Sequence, residues 1–546
     1  MKYKYLPVFL FLSFNAIISV SQVISPLLYG QNAWMPKAIG NYVVNGSLDK
    51  HWGKLKDCGI KFVRVGGTSN DGNLPTNAQF IALVDSIRRI GAEPLLQVPY
   101  NNGSYSETTA ANTVRYLNIT MGRNVKYWTI ANEPDGNYSM TTPTPIATYF
   151  KRFATAMKLA DPTIKIVGPD LTYLYSSIYS SLIGGADDIT GKDVNGNYMI
   201  DVVAFHCYRG YGGLQTRANV TTDAPAKFKT DATTVTGLIN AANTKNARTG
   251  DNKLSWAVTE FNVNYKNPTT NDAAGVGSHG FLNGQYWAEC IGYAMQYSAL
   301  AFMPWCVHES SGNRTSYDVG FLDGANGQYP RSSYYHLQFM AVNNKSNFAT
   351  STDNQSLVKV VSSKDATGTT VIILNEEETT SFLYTVRLNT GTVTGTSTLK
   401  INVDKSLAIE YTPTAPIPSQ ATHVLIFDNL GNIQKIIEYK LSDTQSNTAP
   451  RVIFTGVTAI SETKIDNSNF RIYKNNNEVN FDFAKLEMQS PFHFKIYNLS
   501  GQTVYSKELI PSTTLLSISS NLFRNGVYIS GIQSKDMNVR RKFIVK

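Results

Sequence analysis

Charge is scarce in this chain. Of 546 residues, 16% are Asp, Glu, Lys or Arg, against about 25% in an average soluble domain. Lys and Arg are dispersed, and the longest basic run is Arg540-Arg541-Lys542. The formal charge of +9 (49 basic minus 40 acidic residues) therefore reads as solvated surface and points to no nucleic-acid partner. Cysteine is scarcer still. Cys58, Cys207, Cys290 and Cys306 include no CxxC pair, which argues against a zinc site. Cys207 and Cys306 sit in apolar runs and read as buried small hydrophobes, while a disulfide is left open. The seven histidines show neither HExxH nor facial-triad spacing, so no catalytic metal is expected. No EF-hand-like run is present, and no GxGxxG or P-loop opens a helix. No cofactor is expected. Long apolar runs are also missing. Leu6–Ile18 is short for a spanning helix, and no later segment is longer, so no stable membrane span is expected. Lys2 and Lys4 precede that run and small Ser19 and Ser21 follow it. Residues 1–21 read as a secretory signal peptide, and the mature chain as secreted or cell-surface.

What the chain has is length, 42% hydrophobic residues and 31 tyrosines. It is long enough for two to four domains. From residue 27 to about 310, short apolar runs recur: 27–32, 62–67, 94–100, 127–134, 164–170, 202–208, 255–262 and 301–308. The intervals suit a strand, a helix and two loops. Leu48, Trp52 and Leu55 form a helical stripe capped by Ser47 and ended by Gly59. Phe80, Leu83, Val84 and Ile87 form another, ended by Gly91; Phe150, Phe153 and Met157 form a third, stopped by Asp161-Pro162. Continuous apolar strands alternating with helices predict a parallel sheet covered on both faces. Eight such units predict a closed (β/α)8 barrel over residues 22–340; a doubly wound open sheet is the structural alternative. After about residue 340, strands follow one another without helices. An antiparallel β-sandwich is expected over 341–440, a polar linker over 441–464, and a small all-β domain over 465–546.

Two local signals carry chemistry. In Trp128-Thr129-Ile130-Ala131-Asn132-Glu133-Pro134 an apolar strand ends on Asn-Glu-Pro. In Trp256-Ala257-Val258-Thr259-Glu260 another apolar strand delivers a glutamate at its C-terminal end. Barrel active sites form at that end. A lone glutamate there is most often a solvated or salt-bridged surface residue. Two of them, on the fourth and seventh of eight regular strands, are much less expected by chance. Glycosidic cleavage needs two carboxyl groups flanking one bond, and a separation of about 5–5.5 Å permits direct attack with retention.

On these motifs, roughly residues 25–340 resemble glycoside hydrolase clan A. The resemblance implies Glu133 as general acid/base on strand four and Glu260 as nucleophile on strand seven. It further implies that Asn132 binds the hydroxyl next to the reacting carbon and that Arg64 hydrogen-bonds the nucleophile. His206 and Tyr208 match the clan's His-x-Tyr pair, and Trp305 its aromatic floor under the cleaved sugar. Tyr208 is expected to donate to Glu260, and His206 to bond a sugar hydroxyl. Trp34, Tyr100, Tyr138, Tyr173, Tyr175, Tyr211, Tyr265 and Tyr317 are expected in rim loops, with Asn101, Asn102 and Asp170 as further rim candidates. The sandwich resembles the accessory domain of β-xylosidases and α-arabinofuranosidases.

The tail resembles the C-terminal sorting domain of type IX secretion substrates. The matching residues are Ile496-Tyr497-Asn498-Leu499-Ser500-Gly501, Asn525-Gly526-Val527-Tyr528-Ile529 and Arg541-Lys542-Phe543-Ile544-Val545-Lys546. It lacks the Tyr-Pro-Asn-Pro start, since Lys474-Asn475-Asn476 follow Tyr473. The expected partners are a polysaccharide or oligosaccharide substrate and the type IX secretion machinery. The expected activity is retaining hydrolysis of a β-linked plant or algal glycan, with endo action favoured. The alternatives are an exo-acting β-glycosidase or arabinofuranosidase, and a non-catalytic glycan-binding barrel.

Overall fold

The computed structural model describes residues 22–33, 51–309, 318–323, 329–455 apart from a few positions between 390 and 397, and most of 471–545. The proposed signal peptide, Ser47, Leu48, Trp34 and Tyr317 lie outside the described residues. The chain divides into two compact units, residues 1–455 and 456–546.

The first unit opens with eight strands: β1 Gly30–Ala33, β2 Phe62–Val65, β3 Glu93–Val98, β4 Tyr127–Ile130, β5 Lys165–Leu171, β6 Val202–Tyr208, β7 Ser255–Asn262 and β8 Ala301–Phe302. Each pairs in parallel with the next. The ring closes where Tyr29 bridges Phe302 and the Phe302 N–H donates to the Leu28 carbonyl at 2.8 Å. The strands are buried along almost their whole length, as runs apolar on both faces must be. β8 is shorter than its apolar run. Pro304 cannot donate a ladder hydrogen bond, and the following chain instead ties to its neighbours through Trp305 N–H to Phe261 O and Val307 N–H to Asn32 O.

The helices begin and end where local chemistry dictates. α1 Trp52–Cys58 ends at Gly59, whose φ of 82° glycine adopts without the strain a Cβ brings. α2 Asn77–Arg89 starts on a capping box between Thr76 and Gln79 and buries Phe80, Leu83, Val84 and Ile87. α3 Pro143–Ala160 buries Phe150, Phe153 and Met157. All four cysteines are buried and unpaired.

Ten strands follow in two sheets. The larger has β9 Asn347–Ala349, β11 Val358–Lys364, β12 Gly368–Asn375, β16 Ala421–Asp428, β17 Ile433–Lys440 and β18 Arg451–Thr455. The smaller has β10 Ser351–Asp353, β13 Tyr384–Leu388, β14 Leu399–Val403 and β15 Ile409–Tyr411. The pairings are antiparallel except β13 with β14, which run parallel. Residues 441–455 are not the linker expected of them. They form a short helix, Leu441–Gln445, and strand β18, which pairs with β17. The β-branched and aromatic run Val452-Ile453-Phe454-Thr455 has strand chemistry that the polar residues before it concealed. A helix covered on all sides joins sandwich to barrel. α4 Phe281–Gln296 is buried around nearly its whole circumference, and Gln285 donates to the carbonyls of Asn375 and Ala421.

The second unit has a three-stranded sheet and a four-stranded sheet, antiparallel throughout. Phe481, Phe483, Phe492, Phe494 and Phe543 are buried in its core.

Candidate active site

β4 and β7 deliver their glutamates to the same end of the barrel. After β4 the backbone turns through left-handed conformations at Ala131 (φ 66°) and Glu133 (φ 45°). Pro134 opens a single helical turn, and the Glu133 N–H donates to Asp170 O at 3.0 Å. Nearest ligand-type atoms of Glu133, His206 and Glu260 all lie within 4.8 Å of one another.

The two carboxylates have different partners. Glu260 Oε1 accepts from Arg64 Nη1 at 2.8 Å, and its Oε2 from Tyr208 OH at 2.6 Å. Its side chain is 7% exposed. Glu133 is 22% exposed and meets His206 Nδ1 at 2.8 Å through Oε1. His206 Nδ1 also lies 3.5 Å from Glu260 Oε2. Burial lowers the imidazole pKa, but the charge of Glu260 and the Glu133 hydrogen bond outweigh it, leaving it above the ordinary histidine value. Burial and the Glu260 charge push the Tyr208 hydroxyl well up, so it stays a donor. His206 is fully buried and absent from the cavity wall. In place of the sugar hydroxyl expected for it, the ring bridges the two carboxylates.

Arg64 is fully buried beneath the pair. Nη1 also donates to Asn32 Oδ1, and Nη2 to Asn132 Oδ1 at 2.8 Å. Asn132 Nδ2 donates onward to Thr68 Oγ1. Asp170, expected at the rim, is instead fully buried. It takes Thr129 Oγ1 at 2.7 Å, Thr259 Oγ1 at 2.6 Å and faces Arg64 Nη2 at 3.5 Å. A polar residue ending an apolar strand looks the same in sequence whether it points outward or inward. Burial lowers the Arg64 pKa, but the charges of Asp170 and Glu260 outweigh it and hold the guanidinium above its ordinary value.

A cleft of about 520 Å³ opens over the carboxylates, within the range of about 300–1,000 Å³ of small-molecule sites. Its lining includes Glu133, Glu260, Tyr208, Tyr173, Tyr265, Trp305 and Glu309. Gly67, at φ 106°, lets the chain pass under Trp305: a Cβ there would sit 2.6 Å from the indole. Tyr211 stands 5.0 Å from Tyr173, ring to ring, and Tyr175, Tyr211 and Tyr265 are exposed. Tyr100 instead packs against Tyr138, Tyr149 and Phe153. Asn101 and Asn102 adopt left-handed conformations in a turn after β3.

Glu309, Thr68 and Asn32 carry no distinctive motif. Glu309 stands one residue beyond the eighth apolar run, so reading past the strand end was the available signal. Glu133, His206 and Glu260 have the ligand types for a divalent cation, but Arg64 and Tyr208 already engage both Glu260 oxygens.

Residues 473–546 match the family model described as a secretion system C-terminal sorting domain. The tail marks the chain for export to the cell surface or beyond. Among the described residues no helix is long and apolar enough to cross a membrane. No curated protein matches the sequence. Solved structures similar to the chain include three glycoside hydrolases. A family 51 α-L-arabinofuranosidase from Bifidobacterium longum is 15% identical, over 66% of this chain and 85% of that one, at a TM-score of 0.47. A family 44 xyloglucanase from Paenibacillus polymyxa is 12% identical, over 74% and 97%, at 0.47. A monomeric β-xylosidase from Caulobacter crescentus is 10% identical, over 91% and 95%, at 0.48. The chemistry of the site follows from its own geometry.

Proposed function

We propose that this chain is an exported retaining glycoside hydrolase that cleaves β-linked glycans by double displacement. The observation that carries the reading is the spacing of Glu133 and Glu260, whose nearest oxygens lie within 4.8 Å at the mouth of the barrel. That favours direct attack, since an inverting pair stands about 6.5–9.5 Å apart to admit water.

The asymmetry of partners assigns the roles. Glu260 receives a guanidinium and a phenol, both of which stabilise its charge; it is the nucleophile. Among the described residues Glu133 meets no cationic side chain but the His206 ring, and it is the more exposed of the two. With Nδ1–H of His206 donating to Oε1, its other oxygen is left to carry a proton towards the leaving glycosidic oxygen. Once the anomeric carbon is bonded to Glu260, that negative charge disappears, and Glu133 can act as base for water. Asn132, buried with Arg64 on its Oδ1 and Thr68 on its Nδ2, holds the guanidinium that fixes Glu260. Trp305 supplies the apolar floor of the cleaved-sugar subsite, and Tyr208 orients Glu260.

The exposed Tyr175, Tyr211 and Tyr265 favour endo action, because sugar rings beyond the cleaved one can pack on them. The test incubates the purified chain with a panel of polysaccharides and follows new reducing ends, beside Glu133→Ala and Glu260→Ala. Hydrolysis that persists undiminished in Glu260→Ala refutes the mechanism. Binding without cleavage by the wild type establishes the glycan-binding alternative. Product length separates endo from exo action, and the first-formed anomer, read by NMR, tests retention.

A further inference from the structure

The cleft holds a third carboxyl that the double displacement does not use. Glu309 lines the same cavity as Glu133, Glu260 and Trp305. Two donors fix it: Trp305 Nε1 to Oε1 at 3.3 Å and the Val319 backbone N–H to Oε2 at 2.6 Å. Each carboxylate oxygen can accept about twice, so acceptor capacity remains on both. Burial pushes this carboxyl up to about 7, outweighing the two hydrogen bonds that lower it.

The charge around the cavity is one-sided. Its described lining residues include three glutamates and no Lys or Arg. Arg64, beneath it, is committed to Glu260, Asn132, Asn32 and Asp170. Among the described residues, a carboxylate on the substrate would meet like charge and no uncommitted cation, whereas a hydroxyl finds an acceptor. We propose that Glu309 is a specificity-determining residue, accepting hydroxyl hydrogen bonds from the sugar on Trp305, so that the site takes neutral sugars and rejects uronic acids. The inference rests on the glycosidase reading above and names the substrate class of that site. Above about pH 7, where Glu309 is ionised, charge-assisted O–H···O⁻ bonds supply the selectivity for neutral sugars, and repulsion from Glu309 and Glu260 supplies the discrimination against acidic ones.

Affinity electrophoresis tests it with the full chain. Gels contain either neutral polysaccharides (xyloglucan, arabinoxylan, galactan, mixed-linkage β-glucan, agarose) or polyuronates (polygalacturonate, alginate). The wild type is retarded by at least one neutral polymer and, with salt added to screen its charge of +9, by neither polyuronate. Glu309→Gln leaves one of the two N–H donors without an acceptor and so lowers the melting temperature modestly, and it weakens that retardation about 10- to 100-fold in apparent Kd, the loss expected for a hydrogen bond to a charged acceptor. Glu309→Asp, which withdraws the carboxyl by one methylene, gives the same direction if the Gln variant does not fold. A purely structural carboxyl would lower the melting temperature and leave affinity in the folded variant unchanged. Unchanged affinity in Glu309→Gln, equal retardation by a polyuronate, or no retardation in any gel overturns the inference. Hydrolysis by Glu260→Ala is scored separately: its persistence sinks the catalytic reading, whereas its loss alongside unaltered Glu309→Gln binding sinks only this one.

Discussion

Asp170→Asn removes one negative charge from beneath the site and almost nothing else. Asn is isosteric and tolerates the left-handed backbone that Asp170 adopts at φ 53°. The carboxylate is fully buried and faces Arg64 Nη2 at 3.5 Å. Across 3.5 Å, an effective dielectric of about 20 gives roughly 5 kcal/mol of attraction. Removing the carboxylate also removes its own desolvation penalty, of several kcal/mol. The Asn amide keeps one oxygen for Thr129 or Thr259, and the other hydroxyl can turn to accept from its NH2. The net loss is then about 2–4 kcal/mol, near the lower end for breaking a buried pair. Calorimetry of the full chain should show the transition of the barrel-containing unit falling by about 2–4 °C. Thr129→Val and Thr259→Val each remove one hydroxyl donor and should cost about 1 kcal/mol. Activity should fall at least about tenfold, because Arg64 is less firmly held and Glu260 with it. A melting temperature within 1 °C of wild type, an error-sized shift on the same scale, would refute the claim that Asp170 anchors Arg64.

Tyr208→Phe deletes the 2.6 Å bond to Glu260 and should lower kcat/KM about 10- to 100-fold on whichever glycan is cleaved, with little change in melting temperature; a change under twofold sets the bond aside. Between barrel and sandwich, burial pushes the Glu289 carboxyl up to about 7 and Glu376 also upward. Both are more readily protonated folded than unfolded, so stability is greatest below the ordinary carboxylate range and declines as pH rises through about 7. Glu289→Gln should flatten that decline and raise the melting temperature at pH 8 by about 2–4 °C; thermal melts at pH 5 and pH 8 measure both.

The barrel was legible because its strands are apolar on both faces. Runs such as Val202–Tyr208 and Ser255–Asn262 show no alternation, and the two glutamates close two of them. Arg64 and Tyr208 stand on two more such strands, but only the resemblance to glycoside hydrolase clan A singled them out. What lay beneath was not legible. Asp170 and Asn32 also end strands, but whether such a side chain points to solvent or to a buried guanidinium depends on contacts from four strands at once. His206 could be placed on β6 but not between two carboxylates, because that position depends on the left-handed turn at Glu133. Residues 441–455 misled through their polar beginning, and β18 became a strand by adding to an edge that only the folded sheet offers. Glu309 belongs to no element, so no periodicity could mark it.

The conformation of Glu133 is itself open to test. At φ 45° and ψ 55°, a residue with a Cβ carries about 1–2 kcal/mol of strain that glycine does not. Pro134 adds to the restriction by disfavouring the right-handed helical alternative. The strained backbone is held where the Glu133 N–H reaches Asp170 O, and it aims the side chain over the cleft towards His206. Glu133→Ala and Glu133→Gly both delete the carboxyl and its His206 bond, so those losses cancel between them. At an ordinary position the Ala variant is the more stable by about 0.5–1 kcal/mol, since glycine loses more backbone entropy on folding. Here relief of the left-handed strain opposes that term and exceeds it. The Gly variant should therefore be the more stable by about 0.5–1 kcal/mol in denaturant melts, with both inactive. A more stable Ala variant would mean that the backbone at Glu133 relaxes out of the left-handed region. The carboxyl would then have to reach the cleft by the rotamer of a flexible loop, not by a strained turn between β4 and β5.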